Sequence, residues 1–145
     1  MKRVYSFIII IFLFIIFVNP VISSSDWVEY SRTNVGNGLF YKKGRIDKDG
    51  EKYLIQVWEK EIFSDRGRDN FIQYLGRDGS SMRNKPSYLI NSSEIDCKRQ
   101  MNRTLSVVVY DVDDKILTSH LVKEPKWEYI VTKSNMESLR KKVCK

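Results

Sequence analysis

The sequence predicts an α+β domain: an antiparallel β-sheet meander of about five or six strands, with a C-terminal helix packed on it and tethered by one disulfide. Three observations carry this reading. Aromatic and β-branched runs recur between Gly, Asp and Asn turn signals from Trp27 to Leu121. Ser134-Asn135-Met136-Glu137 has the form of a capping box and opens an amphipathic segment at the end of the chain. Cys97 and Cys144 are the two cysteines, placed to join that segment to the strands.

The elements follow in order. Lys2 and Arg3 precede an apolar run from Phe7 to Val18, followed by Asn19-Pro20 and the small residues Ser23, Ser24 and Ser25. This is the pattern of a cleavable secretory signal peptide, expected over residues 1–23, with the domain at 24–145. The run of twelve apolar residues rises only about 18 Å as a helix, short of the ~30 Å hydrocarbon core an anchor must span. No cysteine stands at the expected cut to take a lipid. The protein is therefore expected to be exported, periplasmic or secreted, touching membrane only through its leader.

Trp27 to Tyr30 opens the domain as a strand. Leu39–Tyr41 and Tyr53–Trp58 form a hairpin across the turn signal Asp47-Lys48-Asp49-Gly50. In Leu54-Ile55-Gln56-Val57-Trp58, Ile55 and Val57 share one face while Leu54 and Trp58 share the other, which makes this a central strand. Ser64 to Lys85 is polar and poorly periodic, and reads as a long connection with one helical turn at Asn70–Leu75, ended by Gly76. Tyr88–Cys97 then pairs with Leu105–Tyr110 across Lys98–Asn102, and Asp111-Val112-Asp113-Asp114 turns the chain into Ile116–Leu121. A brief extension at Trp127–Ile130 leads to the final helix, where Met136, Leu139 and Val143 fall at helical spacing.

The chain has 25 Lys+Arg against 18 Asp+Glu, a formal charge of +7, and losing Lys2 and Arg3 with the leader lowers that by two. The charges are mixed, with no long basic run, so a nucleic-acid partner is not expected. In an oxidising compartment Cys97 and Cys144 are expected to pair. Closing a loop of about 48 residues stabilises by roughly 4 kcal/mol in the chain-entropy model. The alternatives are a metal pair and a reactive thiol. Two sulfurs with one histidine in the whole chain, His120, make a poor zinc site.

Catalytic patterns are absent from the sequence: no G-x-S-x-G, no H-E-x-x-H, no phosphate-binding glycine loop. Asp111-x-Asp113 departs from a calcium loop at Lys115, Ile116 and Val122. A hydrolase would have to assemble scattered residues such as Asp96, Asp111 and His120. No catalytic, cofactor or metal residue is assigned. The best basic-aromatic cluster is Phe40-Tyr41-Lys42-Lys43-Gly44-Arg45. Phe40, Tyr41, Lys42, Lys43 and Arg45 are the candidate ligand-binding residues, suited to a polyanion, although a strand end with solvated lysines accounts for them equally well.

In its ordered residues the chain resembles the surface-adhesin protein E-like domain family. The resemblance runs through Trp27, Val57-Trp58, Ile62-Phe63-Ser64-Asp65-Arg66-Gly67-Arg68, Glu94-Ile95-Asp96-Cys97, Leu105-Ser106 and Tyr110-Asp111. It continues through Trp127-Glu128-Tyr129-Ile130-Val131, Ser134 and Leu139 to Cys144. It implies a sheet with a disulfide-tethered C-terminal helix, and a non-enzymatic binding role at the bacterial cell envelope with adhesion to host matrix. The expected partner is a protein or an anionic glycan at the envelope or host surface. The alternative class is a periplasmic structural or accessory protein that binds an envelope component and is not an adhesin.

Overall fold

A computed structural model describes residues 26–49, 52–76 and 85–145. The expected signal peptide at residues 1–23 and Gly50 of the first hairpin turn lie outside the described residues. The elements are β1 (Val28–Arg32), β2 (Gly38–Asp49), β3 (Lys52–Ile62), α1 (Asp65–Leu75), β4 (Tyr88–Asp96), β5 (Met101–Tyr110), β6 (Ile116–Leu121), β7 (Glu128–Tyr129) and α2 (Asn135–Val143). The sheet runs β1-β2-β3-β4-β5-β6 in chain order, each neighbour antiparallel. β7 pairs with Met101 and Asn102 of β5, so β6 and β7 divide one edge of that strand between them. The expected meander and its disulfide-tethered C-terminal helix are present.

The register fixes which residues share a face. Ile55 stands opposite Ile95, Val57 opposite Ser93, Glu59 opposite Asn91 and Glu61 opposite Leu89. This face carries both helices. Beneath α2, Ile55, Val57, Ile95, Leu139 and Val143 are all fully buried, with Tyr30, Tyr41 and Met136 packed around them. Toward the other end Phe63, Leu89 and Val109 are buried beneath Phe71 of α1, whose ring stacks on Phe63 at 4.9 Å. β3 is central, as its two apolar faces imply.

α2 begins as its sequence dictates. Ser134 Oγ accepts from the Glu137 N–H at 3.1 Å, and the Glu137 carboxylate accepts from the Lys133 N–H at 2.7 Å. Its C-cap is Cys144, bonded to Cys97 with Cα atoms 5.6 Å apart. Cys97 sits just past β4, in a turn held by the neighbouring carboxylate. Asp96 accepts from the Arg99 N–H at 2.8 Å and from Arg99 Nε at 2.6 Å.

Burial raises the Asp96 pKa, but the hydrogen bonds and charge of Arg99 outweigh it and hold the carboxyl below its usual range. A depressed carboxyl contributes stability above its unfolded value and loses it as pH falls through the folded value. Asp96→Asn is therefore expected to cost roughly 1–3 kcal/mol at pH 7 and distinctly less at about pH 3. Urea unfolding at the two pH values checks this, and an equal loss at both contradicts it.

One expectation needs correction. The segment after Ser64 is a full helix over Asp65–Leu75, where the sequence reading allowed a single turn at Asn70–Leu75. Ser64 supplies the cap, its Oγ accepting from the Gly67 N–H at 3.0 Å. Gly67 lies buried against Asn37, whose side chain would overlap any Cβ at that position. A residue that signals a break in the sequence thus marks a close approach in the fold. Part of the expected connection up to Lys85 lies outside the described residues.

Candidate functional site

Among the described residues no helix lies over the other face of the sheet. Four strands build it. Its rows follow from the register: Phe40, Lys60, Ile90 and Val108; then Lys42, Trp58, Ser92 and Ser106; then Gln56, Glu94 and Arg103. Ile62, Tyr88 and Tyr110 continue it toward one end. The serines keep the middle low while aromatic and long side chains stand around them.

Two glycines of β2 set the aromatic rings. A Cβ on Gly44 would overlap the Trp58 indole, and one on Gly38 would approach Phe40 Cε2 to 2.9 Å. The rings therefore lie along backbone that has no side chain, which only glycine allows at these two places. Gly44 and Arg45 stand together opposite Gln56, a β-bulge that turns Arg45 toward the same face. Arg45, Leu54, Gln56 and Glu94 line a cleft there of about 180 Å³. Beside it Arg103 contacts Glu94 at 2.6 Å and stacks 4.6 Å from the centre of the Trp127 ring.

Cations are spread across this surface. Lys60 Nζ lies 4.0 Å above the Tyr88 ring, which itself stacks on Tyr110 at 4.8 Å. Burial, together with the hydrogen bond from its hydroxyl to Asp114, pushes the Tyr88 phenol up to about 12, so the ring carries no charge at neutral pH. Lys42 reaches Asp26 at 2.7 Å, and that hydrogen bond and charge hold the Asp26 carboxyl below its usual range. Aromatic faces, amide and hydroxyl groups and cations in one shallow surface suit a ligand with flat faces and anionic substituents.

Strand alternation divides the five candidate residues of the sequence. Phe40, Lys42 and Arg45 belong to the helix-free face. Tyr41 and Lys43 point to the opposite side, where the Tyr41 ring meets Tyr30 at 6.0 Å and packs on the buried core. The sequence reading missed Trp58, Gln56, Arg103 and Trp127 as members of the surface. The partition of Leu54 and Trp58 away from Ile55 was the available signal for Trp58. Nothing local points to Trp127, which arrives through β7.

The scattered carboxylates do not converge on a reaction centre. Asp96 stands beside Met101 at the start of β5, whereas Asp111 follows its end, ten residues along and roughly 30 Å away. Asp111 Oδ1 accepts from the N–H groups of Asp113 and Lys115 at 2.8 and 2.9 Å and shapes the turn. His120 is exposed opposite Val107 on β6. Glu59 is raised by burial, and Tyr30 donates to it at 2.7 Å on the helix-covered side. Among the described residues no group of three or more His, Cys, Asp or Glu side chains could hold a metal ion. No described helix is long and apolar enough to cross a membrane.

Residues 27–145 match the family model of surface-adhesin protein E. The chain belongs to the surface-adhesin protein E family. The solved structure of Haemophilus influenzae protein E resembles it with a TM-score of 0.50 at 7% identity, covering 83% of this chain and 84% of that one. At that identity the likeness is one of fold. No curated protein matches it in sequence. Asp96 and Asp111 have structural work here: each aspartate closes a turn.

Proposed function

We propose that this member of the adhesin E family is a non-enzymatic binding domain, exported with residues 1–23 removed, that holds an anionic glycan or glycan-bearing partner on the helix-free face of its sheet. The observation that carries the reading is the surface itself: Trp58 and Phe40 laid over glycines, with Lys42, Arg45, Lys60 and Arg103 distributed among polar groups. Family membership supports an adhesin-like surface role. Stacking on flat sugar faces and ion pairing with sulfate or carboxylate need no reacting group, which agrees with the dispersed carboxylates. Of the candidate residues, Phe40, Lys42 and Arg45 contact the ligand, whereas Tyr41 builds the core behind it.

The test uses immobilised heparin as the polyanion probe. Trp58→Ala and Lys60→Ala are each expected to weaken retention roughly tenfold, the order of one stacking or desolvated cation contact. Lys141→Ala, on the exposed side of α2, is expected to leave it unchanged. Equal losses at Lys60 and Lys141 would mean that general basicity, and not this face, holds the polymer.

A further inference from the structure

Two carboxyl groups stand on the helix-covered face of β3, and their surroundings differ. Glu59 and Glu61 lie two residues apart, so both belong to the same side of the strand. Glu61 accepts from the Asn37 amide at 2.6 Å. Glu59 accepts from the Tyr30 hydroxyl at 2.7 Å, a bond that joins the edge strand β1 to β3 across the intervening β2. Directly opposite Glu59 in the ladder is Asn91, whose Oδ1 is buried without a hydrogen-bond partner among the described residues. A buried acceptor left unmet is costly. An ionised carboxylate has no proton to offer it, whereas a carboxylic acid has one.

The groups around Glu59 favour the acid. β1 brings the Tyr30 hydroxyl, while Glu29 and Arg32 pair with each other in the open. β2 brings the Tyr41 ring opposite Glu59, and Lys43 on the same side is exposed. β4 brings the uncharged Asn91 and Ser93. On α1, Asp65, Arg66 and Asp69 are exposed, and Arg68 binds Asp65 and the Pro86 carbonyl. On α2, Lys141 and Lys142 are exposed, and Glu137 draws the charges of Lys141 and Arg140. The charge that acts on Glu59 is the negative one of Glu61. Burial first, and that charge second, raise the Glu59 carboxyl against the opposing bond from Tyr30. Where two carboxyls share a site, one of them keeps its proton, and the Asn37 amide suits the charged form of Glu61.

We propose that Glu59 is held as a neutral carboxylic acid, accepting from Tyr30 and donating to Asn91, and that this one proton latches β1 and the start of α2 over the core. Ser31 of β1 donates to Asn135 of α2 at 3.0 Å, which ties the edge strand to the helix. Among the described strands β1 pairs with β2 alone, and a bulge between Glu29 and Ser31 interrupts that ladder. Loss of the proton sets two like charges side by side on β3, and opening the β1 edge returns one of them to water. The sign is fixed. A carboxyl raised in the fold contributes stability below its unfolded value and loses it as pH rises through the folded value, the reverse of Asp96. The latch lies on the opposite side of the sheet from the glycan face and goes beyond that reading.

The carboxyl carbon of Glu59, followed by NMR in the unaltered protein, is expected to titrate above the ordinary glutamate range. Asn91→Ala is expected to bring that midpoint down, because the acid loses its acceptor. Glu59→Gln keeps the shape: its amide oxygen accepts from Tyr30, its N–H donates to Asn91, and it has no proton to lose. Against the parent it is expected to show a similar urea midpoint at about pH 4 and a higher one at about pH 8. As pH rises, the amides of Val28–Arg32 are expected to lose protection relative to those of β5 in the parent but not in Glu59→Gln. Titration of Glu59 within or below the ordinary range overturns the proposal, and that measurement requires no variant. So does a parent that gains on Glu59→Gln with rising pH, the result of an ionised Glu59 taking the Asn91 amide. A Glu59 midpoint unmoved by Asn91→Ala overturns the donation to Asn91, and unchanged protection of β1 overturns the latch. Heparin retention is independent of all four results, so the glycan-face reading stands or falls separately.

Discussion

Replacing Cys144 with serine is expected to lower the stability of the domain by about 4 kcal/mol in the chain-entropy model, a large share of what a domain of this size possesses. The bridge closes a sequence separation of 47 residues, from the β4–β5 turn to the C-cap of α2. The nine-residue helix is marginal alone, and its hold on the sheet comes from Leu139 and Val143 against Ile55, Val57 and Ile95. Without the bridge the helix can lift from its C-terminal end, exposing that cluster to water. The loss should therefore appear with early exchange of the α2 amides and with little change at the second cluster around Phe63 and Val109. Urea unfolding of variant and parent gives the magnitude. A loss under about 1 kcal/mol would mean the helix is docked by packing alone.

Gly67→Ala is the second large effect, expected to cost about 1–3 kcal/mol where an exposed helical Gly→Ala change would stabilise. Asn37 is the reason. It is 4% exposed; its Oδ1 accepts from the Ser64 N–H at 2.9 Å and from the Ser64 hydroxyl at 3.0 Å, and its amide donates to Glu61 at 2.6 Å. A methyl on Gly67 displaces this side chain and breaks the bonds that join the β1–β2 loop, the end of β3 and the start of α1. The unfolding midpoint measures the loss. A stabilised Gly67→Ala would show that Asn37 can move aside freely.

Much of the fold was legible because it is written locally. The capping box at Ser134, the turn at Asp111, the run Ile116–Leu121 and the two faces of β3 each need only neighbouring residues, and all stand as the sequence implied. α1 was not legible because Gly67 and the surrounding charges read as loop by propensity, and the contact with Asn37 that makes glycine necessary is distant in sequence. β2 ran further than expected, through Lys42, Lys43 and Gly44, because a strand with one helix-free face tolerates polar residues that propensity counts against it.

The binding surface was partly legible. Alternation along β2 was readable and divides Phe40, Lys42 and Arg45 from Tyr41 and Lys43 once the bulge at Gly44 is known. The bulge itself, the seat of Trp58 on Gly44 and the arrival of Trp127 beneath Arg103 depend on partners in other strands. Composition showed only that the domain is basic.

Amide and indole chemical-shift mapping of the protein with a soluble heparin fragment locates the binding surface residue by residue. Shifts concentrated on Trp58, Lys60, Gln56, Ser92 and Ser106, with Asn135–Val143 silent, are the predicted result. Shifts concentrated on α2 or on the loop turns, with Trp58 and the two serines silent, would contradict the assignment of the helix-free face as the binding surface.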